Sequence, residues 1–416
     1  MLNYKKIFSL SSGILGGRVF GYLRELSLVL FFGANSSSDI ILIIFLMPDL
    51  VNNLVASSSI SSVFLSAIVR SEDIESVANK IKGYLNEIAL TSYVVLVIFS
   101  FFYYDFFVAT YVSIALISIF YNFKFGVEIS KSQYYNDFKY TSLANIIYNT
   151  GTILAVLFAM INIYLSCIII VIFSFVRFYL ARKRVNNIHT YEDKIDEELD
   201  LKIISRKNFI IALTSTSIIS LAPMFDKLIA FDIGNGVLTL YNYAEKIFIL
   251  PLSLVLVPVF SANYPILTRL WNSQNKIEYN SVVKKVIVAA LSISSIIFLF
   301  FMIFGEQTIN FLFGFTNIGM PNIQLIIKYF NILILGLIPN VIIIWFINVF
   351  LIRKLYKELF FISIFMFFIK ISYLFIITRQ KINFESILIY NLIWLSVSAL
   401  ALFFYYMLNT FKKQFI

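Results

Sequence analysis

Residues 17–64 read GRVFGYLRELSLVLFFGANSSSDIILIIFLMPDLVNNLVASSSISSVF and combine two apolar segments with charges that lipid does not tolerate. The polar break at residues 34–38 separates these segments, each of which is long enough for a membrane-spanning helix. A charge at the bilayer centre costs roughly 3 kcal/mol unless it faces a partner or water. We therefore predict that two neighbouring helices share a polar cavity. Its candidate lining residues are Arg18, Arg24, Glu25, Asp39 and Asp49.

The composition of the whole chain predicts an all-α polytopic membrane protein. Of its 416 residues 60% are hydrophobic and only 13% are charged, against roughly 25% charged residues in soluble domains. Apolar runs of spanning length recur along the sequence, and they are continuous rather than alternating. About twelve transmembrane helices are predicted, near residues 9–33, 38–69, 85–105, 108–133, 140–161, 164–182, 208–232, 237–262, 284–304, 325–350, 358–378 and 386–408.

The net charge of +10 is interpreted as a topology signal and not as a nucleic-acid-binding surface. When the predicted spans are threaded, nearly all lysines and arginines between them fall on one side, which the positive-inside rule assigns to the cytoplasm together with both termini. Arg379 and Lys381 are the exception. The single cysteine, Cys167, and the single histidine, His189, support neither a metal site nor a nucleophile pair.

The sequence also predicts two halves related by a parallel internal repeat. An offset of 203 positions aligns Arg24 with Lys227, Gly33 with Gly236, Asp39 with Asn242, Met47 with Leu250 and Pro48 with Pro251. Both halves begin inside, as in transporters whose bundles rock around a central site. We therefore predict a six-helix bundle at 1–183, a cytoplasmic linker at 184–207 and a second six-helix bundle at 208–416.

Three stretches of the sequence resemble the MurJ/MviN lipid II flippases, within the superfamily of multidrug exporters and oligosaccharide-lipid flippases. They are RVFGYLRE at 18–25 with FGA at 32–34 and Asp39, MPDL at 47–50 with Ser61 and Phe64, and Asp226-Lys227 followed by LYNYAEK at 240–246 and Leu250-Pro251. The resemblance implies a V-shaped, two-lobed carrier of the bacterial inner membrane. Such a carrier moves an undecaprenyl-diphosphate-linked sugar by alternating access, and arginines in its cavity engage the diphosphate.

The chain departs from the family pattern in two respects. Where the family usually carries two arginines after MPD, this sequence has Asn52-Asn53, and the basic residue of the YA-x-R patch is Lys246. The family has fourteen spans, so twelve spans predict a short member lacking the last two helices. A flippase for O-antigen or capsule units is therefore an alternative, as are a cation-coupled multidrug exporter and a membrane polymerase or ligase of glycan assembly.

Basic residues on cavity-facing helices are the candidates for binding the diphosphate, because arginine offers phosphate a planar fork of donors. The alternative role for each of these residues is a structural ion pair. For Arg18 the alternative is that its side chain extends to the membrane–water interface. Lys124 can also pair with Glu128, four residues later on one helix face. The candidates for substrate binding are Arg18, Arg24, Lys227, Lys246 and Lys124.

Carboxylates at membrane depth are candidates for ion or proton coupling, and their alternative is a structural role. Glu25, Asp39, Asp226 and Asp232 belong to this group; Asp39 can instead help to cap the helix that begins at the serine run. No nucleotide-binding G-x-x-x-x-G-K-[ST] loop occurs, so we expect no ATP drive, no enzymatic chemistry and no cofactor. Coupling to Na+, H+ or the membrane potential stays open. The expected partners are a lipid-linked diphosphate sugar and membrane lipids, and the expected state is a monomer.

Overall fold

The computed structural model describes residues 4–56, 74–134, 138–188, 211, 223–252, 257–316, 318–378 and 383–412, and the regular elements in them are helices. The all-α prediction is thus confirmed for this part of the chain. The helices are α1 (Tyr4–Phe32), α2 (Ser36–Ala56), α3 (Ile74–Tyr103), α4 (Phe106–Leu116), α5 (Ser118–Tyr134), α6 (Phe138–Ala159), α7 (Ile163–Ile188), α8 (223–233), α9 (Val237–Pro251), α10 (Val257–Asn272), α11 (Lys276–Phe313), α12 (Met320–Leu335), α13 (Leu337–Ile352), α14 (Tyr356–Thr378) and α15 (Phe384–Lys412).

The helices belong to two compact units. The N-terminal unit comprises Phe8–Leu221, and the C-terminal unit comprises Ala222–Ile416 together with Met1–Ile7. Within the first, α7 packs against α6 and α5; within the second, α9 packs against α12, and α13 against α15. Residues 184–188 of the predicted linker continue α7, and its remainder lies outside the described residues.

Long apolar helices confirm that the chain is built to cross a membrane several times. Among the described residues, five helical segments are long and apolar enough to span, and a bent pair of helices makes a sixth. The five are Ile81–Tyr103, Phe106–Ser132, Ile163–Asn187, Lys276–Phe313 and Phe384–Leu408. The count of twelve spans stays a prediction.

The predicted span at 325–350 is not one straight helix. Helices α12 and α13 meet at a bend of 47° around Gly336. Pro339 explains the break, because it has no N–H to donate to the Leu335 carbonyl one turn earlier. The two prolines that the offset of 203 aligns also lie in helices: Pro48 lies inside α2 and Pro251 is the last residue of α9.

Two glycines adopt backbone angles that only glycine takes readily. Gly33, between α1 and α2, has φ +66°, and Gly236, between α8 and α9, has φ +82°. A side chain at such angles strains the backbone, so glycine at these turns is required locally. The two positions are those that the offset of 203 aligns, so the same turn chemistry joins the opening helices of each half.

Close backbone contact holds α1 against α6 in the N-terminal unit. A Cβ atom on Gly17 would lie 2.8 Å from the Asn145 Cβ, and one on Gly16 would lie 2.9 Å from the Ile146 Cδ1. Asn149 donates its Nδ2–H to the Gly17 carbonyl at 2.6 Å. Small residues let helices approach this closely in a membrane, and a hydrogen bond then fixes the register.

A second close contact in this unit yields a stability prediction. The backbone of Gly151 in α6 lies against the Phe173 ring of α7, and an added Cβ would overlap the inner ring carbons. Since these atoms cannot swing away, we expect Gly151→Ala to lower the free energy of unfolding by about 1–3 kcal/mol. Thermal unfolding in detergent measures this.

The matched control is Gly83→Ala in α3, where a Cβ would meet nothing within 4 Å. Alanine stabilises an exposed helix position by up to about 1 kcal/mol. Equal unfolding midpoints for the two alanine variants would contradict the contact between Gly151 and Phe173.

Candidate functional site

Arg24 lies inside the N-terminal unit and is already paired. Its side chain is buried, with 5% of the residue exposed. The guanidinium donates to Glu25 Oε1 from Nε at 3.2 Å and from Nη2 at 2.5 Å. Glu25 is itself 1% exposed. A buried arginine beside a buried carboxylate forms a charge-balanced unit, and this contact is the ion pair that the sequence offered as the alternative to substrate binding.

A second carboxylate touches the same guanidinium more loosely. Asp49 Oδ2 lies 3.5 Å from Arg24 Nη1, and the Asp49 side chain is 26% exposed. Its other oxygen accepts a hydrogen bond from the Tyr148 hydroxyl at 3.0 Å. Arg24 therefore has one tight, buried partner and one longer contact on its more accessible side. Asp49 keeps a donor of its own if that longer contact breaks.

Sequence reasoning missed a second buried arginine, Arg177 on α7. It donates from Nη2 to Asn122 Oδ1 at 2.9 Å, and its guanidinium lies over the rings of Phe125 at 4.0 Å and Tyr148 at 4.5 Å. Through Tyr148 it joins the Arg24 cluster, so a polar path crosses α1, α2, α6, α7 and α5. The available signal was an arginine preceded by the apolar run IIIVIFSFV at 168–176.

Glu128 has a different lysine partner from the predicted one. Its Oε1 lies 2.9 Å from Lys82 Nζ on α3. Lys124, the predicted partner one turn earlier on α5, is half-buried and forms no ion pair within the described part of the chain. The spacing of four residues allows such a contact but adds only a few tenths of a kcal/mol, so a lysine from a neighbouring helix takes the carboxylate.

Asp39 is buried in the first turn of α2 and is 2% exposed. The cap itself is made by neighbours: the Ser38 N–H donates to Asn35 Oδ1 at 3.1 Å, and the Asn35 N–H donates to Ser38 Oγ at 2.9 Å. An acid at this place also favours the helix electrostatically. For Arg18, in α1, the side chain lies outside the described residues.

In the C-terminal unit, Lys227 on α8 pairs with Glu245 on α9. Lys227 Nζ lies 2.5 Å from Glu245 Oε2, and their side chains are 12% and 8% exposed. Lys246 follows on α9 and is half-buried, whereas Asp232, near the end of α8, is exposed. Lys227 thus resembles Arg24 in being a basic residue of an opening helix that is neutralised by a nearby carboxylate.

Among the described residues, the most deeply buried ion pair joins Asp226 to Lys370, a residue that the sequence analysis did not single out. Both are 0% exposed. Lys370 Nζ donates to Asp226 Oδ2 and to Asn391 Oδ1, both at 2.9 Å, and lies 4.9 Å from the centre of the Trp394 ring. Three helices, α8, α14 and α15, therefore meet at one ammonium group.

Within the described residues, no group of three or more His, Cys, Asp or Glu side chains could hold a metal ion. The groups that come together are acids and bases: Lys227 with Glu245 and Asp226 with Lys370 are one-to-one pairs, whereas Arg24 contacts two carboxylates. This arrangement suits binding and release of a charged ligand, since carboxylate partners can be exchanged for phosphate oxygens.

The fold is similar to those of solved transporters. A lipid II flippase MurJ in an inward closed conformation has a TM-score of 0.69 and 17% sequence identity, over 96% of this chain and 87% of that one. An outward-facing multidrug resistance MATE family transporter of the MOP superfamily has a TM-score of 0.72 and 15% identity, over 97% and 95%. An inward-facing MATE transporter has a TM-score of 0.63 and 15% identity, over 96% and 94%. At these identities the likeness shows the fold alone.

A comparison of the sequence with protein-family models assigns the chain to one of these two transporter families. No curated protein gives a significant match. The family model described as lipid II flippase MurJ matches residues 28–415. That range includes Lys124, Asp226, Lys227 and Lys246, and it begins after Arg18, Arg24 and Glu25. The family consists of inner-membrane transporters and not of enzymes. The chain therefore belongs to the lipid II flippase MurJ family.

Proposed function

We propose that this protein moves an undecaprenyl-diphosphate-linked glycan across the bacterial inner membrane by alternating access, as a monomer with both termini in the cytoplasm. The family match over residues 28–415 carries this proposal. The V-shaped pair of six-helix bundles and the basic central cavity are parts of it, and they rest on the family resemblance and the sequence repeat. Lipid II, the peptidoglycan precursor, is the leading substrate.

The pairing of Arg24 supports a partner-exchange step for the diphosphate. The contact to Asp49 is long, at 3.5 Å, and lies on the more exposed side of the guanidinium. A phosphate group brings two oxygens to the arginine fork, which is a better match than one distant carboxylate oxygen. Glu25 stays in place and keeps the buried charge paired during the exchange.

Asp49 limits the cost of this exchange. When phosphate takes its place, the Tyr148 hydroxyl still donates to Asp49 Oδ1. We therefore expect Asp49→Asn to bind a diphosphate lipid more tightly than the wild type, because the competing negative charge is gone and the Tyr148 contact is kept. Binding of undecaprenyl diphosphate to the purified protein, measured by microscale thermophoresis, tests this. Unchanged or weaker binding would exclude Asp49 as the competing partner.

Complementation in two strains tests the function and separates its substrates. One strain conditionally lacks its lipid II flippase, and the other lacks its O-antigen flippase. We expect rescue of the first strain. Rescue of the second strain alone would move the protein out of the peptidoglycan pathway. Drug resistance without rescue of either strain would favour the exporter alternative.

Cysteine labelling tests the proposed orientation. Asn35 and Asn235 are exposed at the turns before α2 and α9, whereas the native Cys167 is buried. In a Cys167→Ser background, Asn35→Cys and Asn235→Cys should react with an impermeant maleimide from outside. Asp193→Cys, in the predicted linker, should react only after permeabilisation. The opposite pattern would invert the topology.

A further inference from the structure

Lys370 occupies an unusual environment for a lysine. It lies in the apolar α14 run FFISIFMFFIKISYLF and is fully buried. Its ammonium group meets a carboxylate oxygen, an amide oxygen and the face of an indole ring. These groups are two oxygen ligands, one of them negatively charged, and an aromatic face. The same groups can stabilise a small monovalent cation.

One acceptor of this cluster is left over. Asp226 Oδ1 is buried and has no hydrogen-bond partner among the described residues. An unpartnered carboxylate oxygen in an apolar interior is costly. The cluster therefore contains more acceptor capacity than the lysine uses, and the surplus oxygen lies on the side chain that carries the negative charge.

The frame around the ammonium does not depend on the ammonium. Trp394 Nε1–H donates to the Met366 carbonyl at 2.8 Å, and the Tyr390 hydroxyl donates to the Ile369 carbonyl at 3.0 Å. These bonds fasten α14 to α15 in the turn of α14 that precedes the lysine. On the α8 side, the Phe225 ring packs against the Phe367 ring of α14 with centroids 5.5 Å apart. If the Lys370 side chain is shortened, we therefore expect Asp226 and Asn391 to stay beside the vacated volume.

We propose that Asp226, Asn391 and Trp394 form a monovalent-cation site whose cation is supplied by the chain itself, as the tethered ammonium of Lys370. The site is then permanently filled, and the C-terminal unit requires no Na+. Because a dissolved cation must be captured and a tethered one need not be, this unit keeps its charge balance at any external Na+ concentration. The proposal concerns this unit alone and does not depend on which substrate is carried.

Thermal unfolding of the purified full chain tests the proposal, with Na+ as the probe and choline as the inert cation. A ligand that binds only the folded state raises the unfolding midpoint. We expect the wild type to unfold at the same temperature in both salts. Lys370→Ala opens the site, so Na+ should raise the midpoint of this variant by about 2 °C or more over choline.

Two controls define the site. The double variant Lys370→Ala/Asp226→Asn lacks the negative charge and should lose the Na+ effect. Lys328→Ala removes a lysine of a more exposed pair with Glu385, in which the lysine side chain is 58% exposed, and it should behave as the wild type does.

Two results would overturn the proposal. The first is a wild-type unfolding midpoint that is higher in Na+ than in choline, with the difference abolished by Asp226→Asn; it would show that a dissolved cation binds at the site. Equal midpoints for Lys370→Ala in both salts would reduce the cluster to an ordinary ion pair. If Lys370→Ala does not accumulate, Lys370→Ser replaces it in the same measurement, because serine leaves nearly the same volume open and adds an oxygen ligand. The comparison of wild-type midpoints in Na+ and choline does not depend on either variant.

Discussion

The double substitution Arg24→Gln/Glu25→Gln should reduce transport by roughly 10- to 100-fold while the protein accumulates normally. The two glutamines can hydrogen-bond to each other, and the partly exposed Asp49 keeps its hydrogen bond from Tyr148, so no fully buried charge is left unpaired. What is lost is the charged fork for the diphosphate, and hydrogen bonds to charged groups are worth about 1.5–3 kcal/mol each. Transport per molecule of inserted protein, measured beside the wild type, gives the result.

Single substitutions complete this experiment. Arg24→Ala leaves the buried Glu25 without its main partner and should lower the protein level as well as transport. Arg24→Lys keeps the charge but not the bidentate geometry, so it should restore transport only in part. If the double glutamine variant transports at the wild-type rate, Arg24 is a structural partner of Glu25 and does not bind substrate.

Breaking the pair of Asp226 and Lys370 should have the largest effect on stability. Both side chains are essentially inaccessible, so Lys370→Met leaves a buried carboxylate and should cost about 3–5 kcal/mol of unfolding free energy. Adding Asp226→Asn removes that charge and should recover most of the loss. Unfolding free energies of the single and double variants in detergent, without Na+, measure the coupling.

The exposed pair of Lys328 and Glu385 is the matched control. Its lysine side chain is 58% exposed, and such pairs contribute about 0–1 kcal/mol. Lys328→Met should therefore have little effect. If Lys370→Met costs no more than Lys328→Met, the buried pair does not hold α8, α14 and α15 together.

The sequence was sufficient for the features that depend on local chemistry. Continuous apolar runs predicted the helical membrane class, and family-like patches predicted the family. Gly33 and Gly236 were identified by one offset, and both turns have positive φ. The bend near Pro339 has a local cause as well, because the missing N–H is a property of one residue, although the predicted span at 325–350 was continuous.

What the sequence analysis missed depends on contacts between distant helices. The lysine that pairs with Glu128 on α5 is Lys82 on α3, and no rule of residue spacing predicts a contact between these two helices. Lys370 and Asp226 are separated by 144 positions. A lone lysine in an apolar run was a visible signal, because such a residue needs a buried partner. The identity of that partner is set only by how α8, α14 and α15 pack.

Direct transport in liposomes tests the central claim. The purified protein is reconstituted with undecaprenyl diphosphate carrying a fluorescent sugar, and accessibility of the sugar to an external quencher is followed over time. We predict that the wild type exposes the inner pool within the assay and that Arg24→Gln/Glu25→Gln does not. A wild-type protein that moves the sugar lipid no faster than protein-free liposomes, while moving a cationic drug, would contradict the account.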